Sequence, residues 1–211
     1  MIDDLACLMY LLAYDDAVEG PYDRSRTELL VRAAALIDLA SRGRLREDHG
    51  TVLVSGTEPT GNPVLDGVLR DASAGGSWKH LLRRHRKRTL GEVEDRLTAA
   101  GVLAPTSPPT RFGAARLAVA DRAAATAPRA RVSAALRGHL PVREIPADAA
   151  LVALAAAGRI RPIVSRQDRK ILRDRIDACT SQLAVLAPGL EKAVRALPTT
   201  MIAAQGGMGG S

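Results

Sequence analysis

Apolar residues recur along this chain mostly at three- and four-residue intervals, the period of a helix that buries one face. Residues 3–15 are apolar nearly all round between Asp3-Asp4 and Asp15-Asp16, which predicts a helix buried on every side. Asp16 to Tyr22 reads as a turn. Thr27 to Ser41 is predicted as a second helix, with Leu29, Ala33, Leu36 and Ala40 on its core face and Thr27 as its N-cap. Arg42 to Leu45 ends it, and Thr51 to Val54 reads as a short strand after the His49-Gly50 turn. Pro59 to Pro63 is a rigid loop, Val64 to Ala72 a short helix and Ala74 to Ser77 a link.

Thr89-Leu90-Gly91-Glu92 fits a capping box, so the next helix is predicted to open at Thr89, with Val93 and Leu97 inward and Gly101 just past its end. The proline-rich stretch Pro105 to Pro109 and the alternation in Arg111 to Ala120 predict a hairpin between Ala104 and Ala120. Helices are expected over 129–137, 147–157 and 167–186, the last ended by Pro188-Gly189, and over 190–204 with a break at Pro198. These elements predict a mainly α single domain over residues 1–204, with short strands at helix ends and a Gly-rich disordered tail over 205–211. A helix–Gly–apolar unit recurs around Gly43, Gly101 and Gly158. It resembles a winged-helix module and is equally the ordinary way a helix ends.

Composition sharpens this picture. Aromatics are 2% of the chain, so the core is built from Ala, Leu, Val and Ile. Arg outnumbers Lys 26 to 4, which with the many alanines suggests a GC-rich bacterial gene. Cys7 and Cys179 stand apart from each other and from any histidine, as buried free thiols would. Leu5 to Tyr14 is too short to span a membrane and lacks the basic lead of a signal peptide, which places the protein in the cytoplasm. No catalytic, phosphate-loop, cofactor-binding or metal-ligand spacing appears, so no enzyme, cofactor or metal is expected.

Charge carries the candidate chemistry. The chain has a formal +7, and Lys79 to Arg88 alone holds six Lys/Arg, two His and no acid; without it the chain would stand at +1. Cations beside a helix N-terminus form an anion site or simply a solvated face. Trp78, just before them, reads first as a core anchor and second as a membrane-interface residue. The scarcity of aromatics disfavours single-stranded nucleic acid, but a duplex needs no stacking platform.

Several segments together resemble the Golgi phosphoprotein 3 family, in particular its bacterial members. They are the leucine-rich first helix with Asp15, Asp16 and Gly20, then Leu36-Ile37-Asp38-Leu39-Ala40-Ser41-Arg42-Gly43-Arg44-Leu45, then Pro59-Thr60-Gly61-Asn62-Pro63-Val64-Leu65-Asp66, then Trp78 and a basic helix ending Gly101-Val102-Leu103. The resemblance runs from about residue 3 to about residue 200 and is loosest in the C-terminal third. It implies a helical domain with a protruding hairpin, no enzymatic activity, and peripheral docking on membranes through a phosphatidylinositol 4-phosphate site. The family pattern puts Arg32 and Lys87 at the phosphate, with Arg83, Arg84, Arg86 and Arg88 crowding nearby. The chain departs from the pattern at two positions, with Leu90 in place of a cation and Asp23 in place of an aromatic beside Tyr22. The hairpin residues Arg111, Phe112, Arg116 and Leu117 are implied as a membrane contact and as a surface for oligomerisation.

The partners expected are therefore an anionic phospholipid surface and the cytosolic tails of membrane enzymes, with nucleic acid the less favoured partner. The resemblance also sets Arg32 across a groove from Lys87. Two like charges so placed would leave stability unchanged, or slightly raised, when either is replaced by alanine.

Overall fold

The first helix, α1 (Leu5–Ala13), is buried along its whole length, as its all-round apolar sequence requires. The computed structural model describes residues 3–56, 58–106 and 116–206, of which 202–206 are described in backbone only. Asp4 caps α1 by accepting from the Cys7 backbone N–H at 3.0 Å. Beside α1 runs α2 (Arg24–Ser41), buried without interruption from Thr27 to Ala40. It begins earlier than predicted: Asp23, not Thr27, is the N-cap and accepts from the Arg26 N–H at 3.0 Å. Thr27 lies inside the helix, its hydroxyl donating back to the Asp23 carbonyl at 2.8 Å.

Around this pair stand α3 (Pro63–Ala72), α4 (Trp78–Arg83), α5 (Arg86–Ala99), α6 (Arg122–Arg137) and α7 (Pro146–Ala157), the last buried from Ala149 to Ala155. The strands form three separate antiparallel pairs: β1 (Tyr14–Asp15) with β2 (Gly20–Pro21), β3 (Leu45–Asp48) with β4 (Thr51–Val54), and β5 (Leu103–Thr106) with β6 (Arg116–Val119). The hairpin expected between Ala104 and Ala120 is the β5–β6 pair, Leu103 facing Val119. The fold is thus mainly α, as the periodicity predicted.

Further predicted boundaries are corrected: α6 begins at Arg122, capped by Asp121, and not at 129. The stretch 167–186 is α8 (Arg166–Ile171), α9 (Arg173–Ser181) and a 3₁₀ turn over Gln182–Val185, because Ser165 and Asp168 close a capping box on a short first segment. Pro188 then opens α10 (Pro188–Arg195) at its first turn, where a missing N–H costs nothing. Pro198 likewise falls in the first turn of α11 (Leu197–Gly206), which carries the first two residues of the predicted tail; residues 207–211 lie outside the described residues.

The helix–Gly units also separate. Gly43 (φ 67°) and Gly101 (φ 73°) take the left-handed turn that leads into a hairpin. Gly158 instead admits a close approach, since a Cβ there would stand 2.5 Å from a Leu30 methyl. Trp78 is the core anchor expected of it, 2% exposed, and its indole N–H donates to Glu47 Oε2 at 3.1 Å. The same oxygen accepts from the Gly189 N–H at 2.7 Å, so one carboxylate joins β3, α4 and the start of α10. Both cysteines are buried free thiols. Among the described residues no helix is long and apolar enough to cross a membrane.

Candidate functional site

The basic run is itself helical. α4 ends at Arg83, and His85 turns the chain sharply with φ 52°. α5 then opens at Arg86 rather than at Thr89. Arg and Lys are good helix formers, so the cationic residues extend the helix backwards past the apparent capping box. Thr89 lies within α5, fully buried, and its N–H bonds to the His85 carbonyl at 3.1 Å.

No side chain caps α5. Such an end carries a partial positive charge and available donors. We call this α4–α5 junction the elbow.

Its six cations divide sharply. Arg86 is held by the buried Glu28 at 3.0 Å, and Arg88 donates to Asp71. Lys79, Arg83 and Lys87 are exposed and Arg84 is half-buried, and none of the four makes an ion pair among the described residues. Four cations without an acidic partner among the described residues therefore lie along α4, its turn and the start of α5, which has no side-chain cap.

Beneath the elbow lies Arg32. Its guanidinium is 0% exposed and donates from Nε to the Leu81 carbonyl and from Nη1 to Asp71 Oδ2 and Thr89 Oγ1, each at 3.0 Å. One side chain of α2 thus joins α3, α4 and α5. The expected groove between Arg32 and Lys87 is not formed in this way: Lys87 is exposed, while Arg32 faces inward and its charge is met by Asp71. Leu90, at the departing family position, is fully buried. Asp23 serves as the α2 cap, and Tyr22 beside it is 65% exposed. Arg24 then grips Glu94 of α5 with both nitrogens, at 2.7 and 2.8 Å.

Asp71 and Glu28 escaped the sequence reading, and Glu92 entered it only as the acid of the Thr89 capping box. Asp71 is central, shared by Arg32 and Arg88, with the His85 ring 3.9 Å away. Burial lowers the pKa of Arg32 below that of an ordinary arginine, partly offset by Asp71, while the bond to Asp71 raises that of Arg88. Glu92 is pushed up from the ordinary carboxylate value of 4.5, first by burial and then by Asp71, against the pull of Arg88, Arg32 and Arg70.

A carboxyl raised on folding binds its proton more tightly in the folded chain. Stability therefore rises as the pH falls from the raised value towards 4.5. Glu92→Gln should accordingly melt at a higher temperature than the wild type at pH 7, with the gap narrowing as the pH approaches 4.5. An equal gap at both pH values would show that Glu92 carries no such cost.

On the hairpin, Arg116 is exposed, and the half-buried Leu117 accepts through its carbonyl from the Tyr14 hydroxyl at 2.7 Å. Arg111 and Phe112 lie outside the described residues. No group of three or more His, Cys, Asp or Glu suited to a metal occurs among the described residues.

Fold and site together define a helical domain that presents a basic elbow pinned from below by a buried arginine. The family model of Golgi phosphoprotein 3 (GPP34) matches residues 5–197, and the chain belongs to that family. No curated protein matches the chain.

Proposed function

We propose that this protein is a non-enzymatic peripheral membrane protein. In this reading it docks on anionic leaflets through the elbow and takes a phosphorylated headgroup of the phosphatidylinositol 4-phosphate type. The observation that carries the reading is the set of unpaired cations, Lys79, Arg83, Arg84 and Lys87, along α4, its turn and the start of α5. Gathering like charges without acidic partners costs folding energy, and an anion bound among them offsets that cost.

Arg88 forms the wall of this site and Arg32 holds it from beneath through Asp71, while the exposed Tyr22 precedes α2, whose Arg24 holds Glu94 farther along α5. Arg116 and Leu117 of the hairpin make the second membrane contact. Cytosolic tails of membrane enzymes are the protein partners this reading allows, and the hairpin is its route to oligomers.

The test compares co-sedimentation with phosphatidylcholine vesicles, with and without phosphatidylinositol 4-phosphate, against a gel shift with duplex DNA. Headgroup-dependent sedimentation that weakens from low to high salt is expected, because exposed charges are screened within about 8 Å at physiological ionic strength. Tight DNA binding without vesicle binding would overturn the reading in favour of a nucleic-acid binder. Salt-resistant binding would move the contact from the elbow to the hairpin.

A further inference from the structure

A second basic segment is hidden in the whole-chain charge. Residues 159–175 carry seven Lys/Arg against Asp168 and Asp174, an excess that acidic residues elsewhere offset. Here α6, the loop from Gly158 to Ser165, and α8 line an open cavity of about 700 Å³. That lies within the range of roughly 300–1,000 Å³ found for small-molecule sites.

Arg129 and Arg137 of α6 and Arg161 of the loop line it, opposed by the single carboxylate of Asp168, for a net charge of +2. That carboxylate is already engaged: Oδ2 accepts from the Ser165 N–H at 2.9 Å and Oδ1 from Arg137 at 2.8 Å.

Donors, by contrast, are in surplus. Arg161 makes no hydrogen bond or ion pair among the described residues. Arg129 gives Nη2 to the Tyr14 carbonyl at 3.2 Å, while its buried Nε has no partner. The hydroxyls of Ser133 and Ser165 accept from Arg137 at 3.1 Å and from the Asp168 N–H at 3.0 Å, which leaves each hydroxyl proton free to donate. One wall is apolar, formed by Pro162 and by Ile171, which is 67% exposed. The field is strong enough to reach Arg169 on the same helix, which is held below its ordinary value by burial and then by Arg159, Arg161 and Arg166.

We propose that this cavity binds a phosphate monoester, with the phosphate on Arg129, Arg137, Arg161 and the two serine hydroxyls and the organic portion against Pro162 and Ile171. A monoester dianion matches the net +2, and guanidinium forks meet phosphate oxygens in pairs, as a single carboxylate would not require. None of these residues belongs to the elbow, so the inference stands apart from the membrane reading. The phosphate source is either a soluble ester or a lipid headgroup.

The test is titration calorimetry on the full chain with inorganic phosphate and phenyl phosphate, and co-sedimentation with phosphatidylcholine vesicles containing phosphatidic acid. Wild type, Arg161→Gln and Lys192→Gln are compared; Arg161 has no partner to lose, and equal melting temperatures confirm the fold. Phenyl phosphate should bind more tightly than inorganic phosphate, and Arg161→Gln should weaken it by about tenfold, the effect of losing one charged hydrogen bond. Lys192→Gln, which changes an exposed cation outside both the elbow and the cavity, should leave it unchanged. Loss of phenyl phosphate binding in Arg161→Gln assigns a soluble ester, and loss of vesicle binding alone in that variant assigns a headgroup. If no probe binds saturably, or if Arg161→Gln weakens neither phenyl phosphate nor vesicle binding more than Lys192→Gln does, the cavity is not a phosphate site.

Discussion

Replacing Arg32 with alanine should cost the fold about 3–5 kcal/mol, the usual loss when one member of a buried ion pair is removed. Three hydrogen bonds vanish together, to Leu81, Asp71 and Thr89. A void the size of a long side chain opens among four helices. Arg88 stays on Asp71, so the carboxylate keeps one partner. The Leu81 carbonyl and the Thr89 hydroxyl keep no donor from α2. Domains of this size hold only about 5–15 kcal/mol in total, so the variant would be marginal.

Arg32→Lys keeps the charge but not the fork, and should recover part of the loss, because one ammonium cannot span the acceptors that Nε and Nη1 now reach. Urea unfolding decides. A loss below about 1 kcal/mol for Arg32→Ala would remove Arg32 from its role as the pin of the elbow. Burial thus reverses, for Arg32, the expectation of unchanged stability drawn from two facing cations.

That reversal shows what the sequence made legible. Periodicity located α1, α2 and the inner face of α5 because their apolar residues are numerous and regularly spaced. Arg32 and Asp71 carried a readable signal too. Arg32 stands three residues after Leu29 and four before Leu36, and Asp71 stands three after Val68 and seven after Val64, so each charge lies on an apolar stripe. Charges of opposite sign on two buried faces imply a buried pair, though only the packing of α2 on α3 says that these two meet.

The capping box at Thr89 misled because its spacing matched while the preceding cations were themselves strong helix formers. The C-terminal third was least legible. Its helices are short, and Ser165, Leu172 and Pro188 divide them by local geometry that apolar spacing does not reveal. The division of the cations into paired and free was closed to sequence altogether, because Glu28 and Asp71 lie 58 and 17 positions from the arginines they hold.

The division yields the prediction that tests the elbow most directly. Changing Lys79, Arg83, Arg84 and Lys87 together to glutamine removes only cations that have no acidic partner. Each cation near an anionic leaflet contributes about 1 kcal/mol, so the four together supply about 4 kcal/mol, or a factor of roughly a thousand in vesicle affinity. Melting temperature should stay the same or rise slightly, since mutual repulsion is relieved. Arg86→Gln is the matched control. It also removes one positive charge from the run, yet this one is spent on Glu28, which is 5% exposed. The control should therefore lose stability, by about 1–3 kcal/mol for a buried carboxylate left short of its partner. Its folded fraction should still bind vesicles nearly as the wild type does, whereas Lys87→Gln alone should bind about fivefold more weakly with its stability intact. If the fourfold variant sediments with vesicles as the wild type does, the elbow is not the membrane contact. If Arg86→Gln and Lys87→Gln lose equal affinity, the pairing to Glu28 makes no difference, and the run acts as diffuse charge rather than as a shaped site.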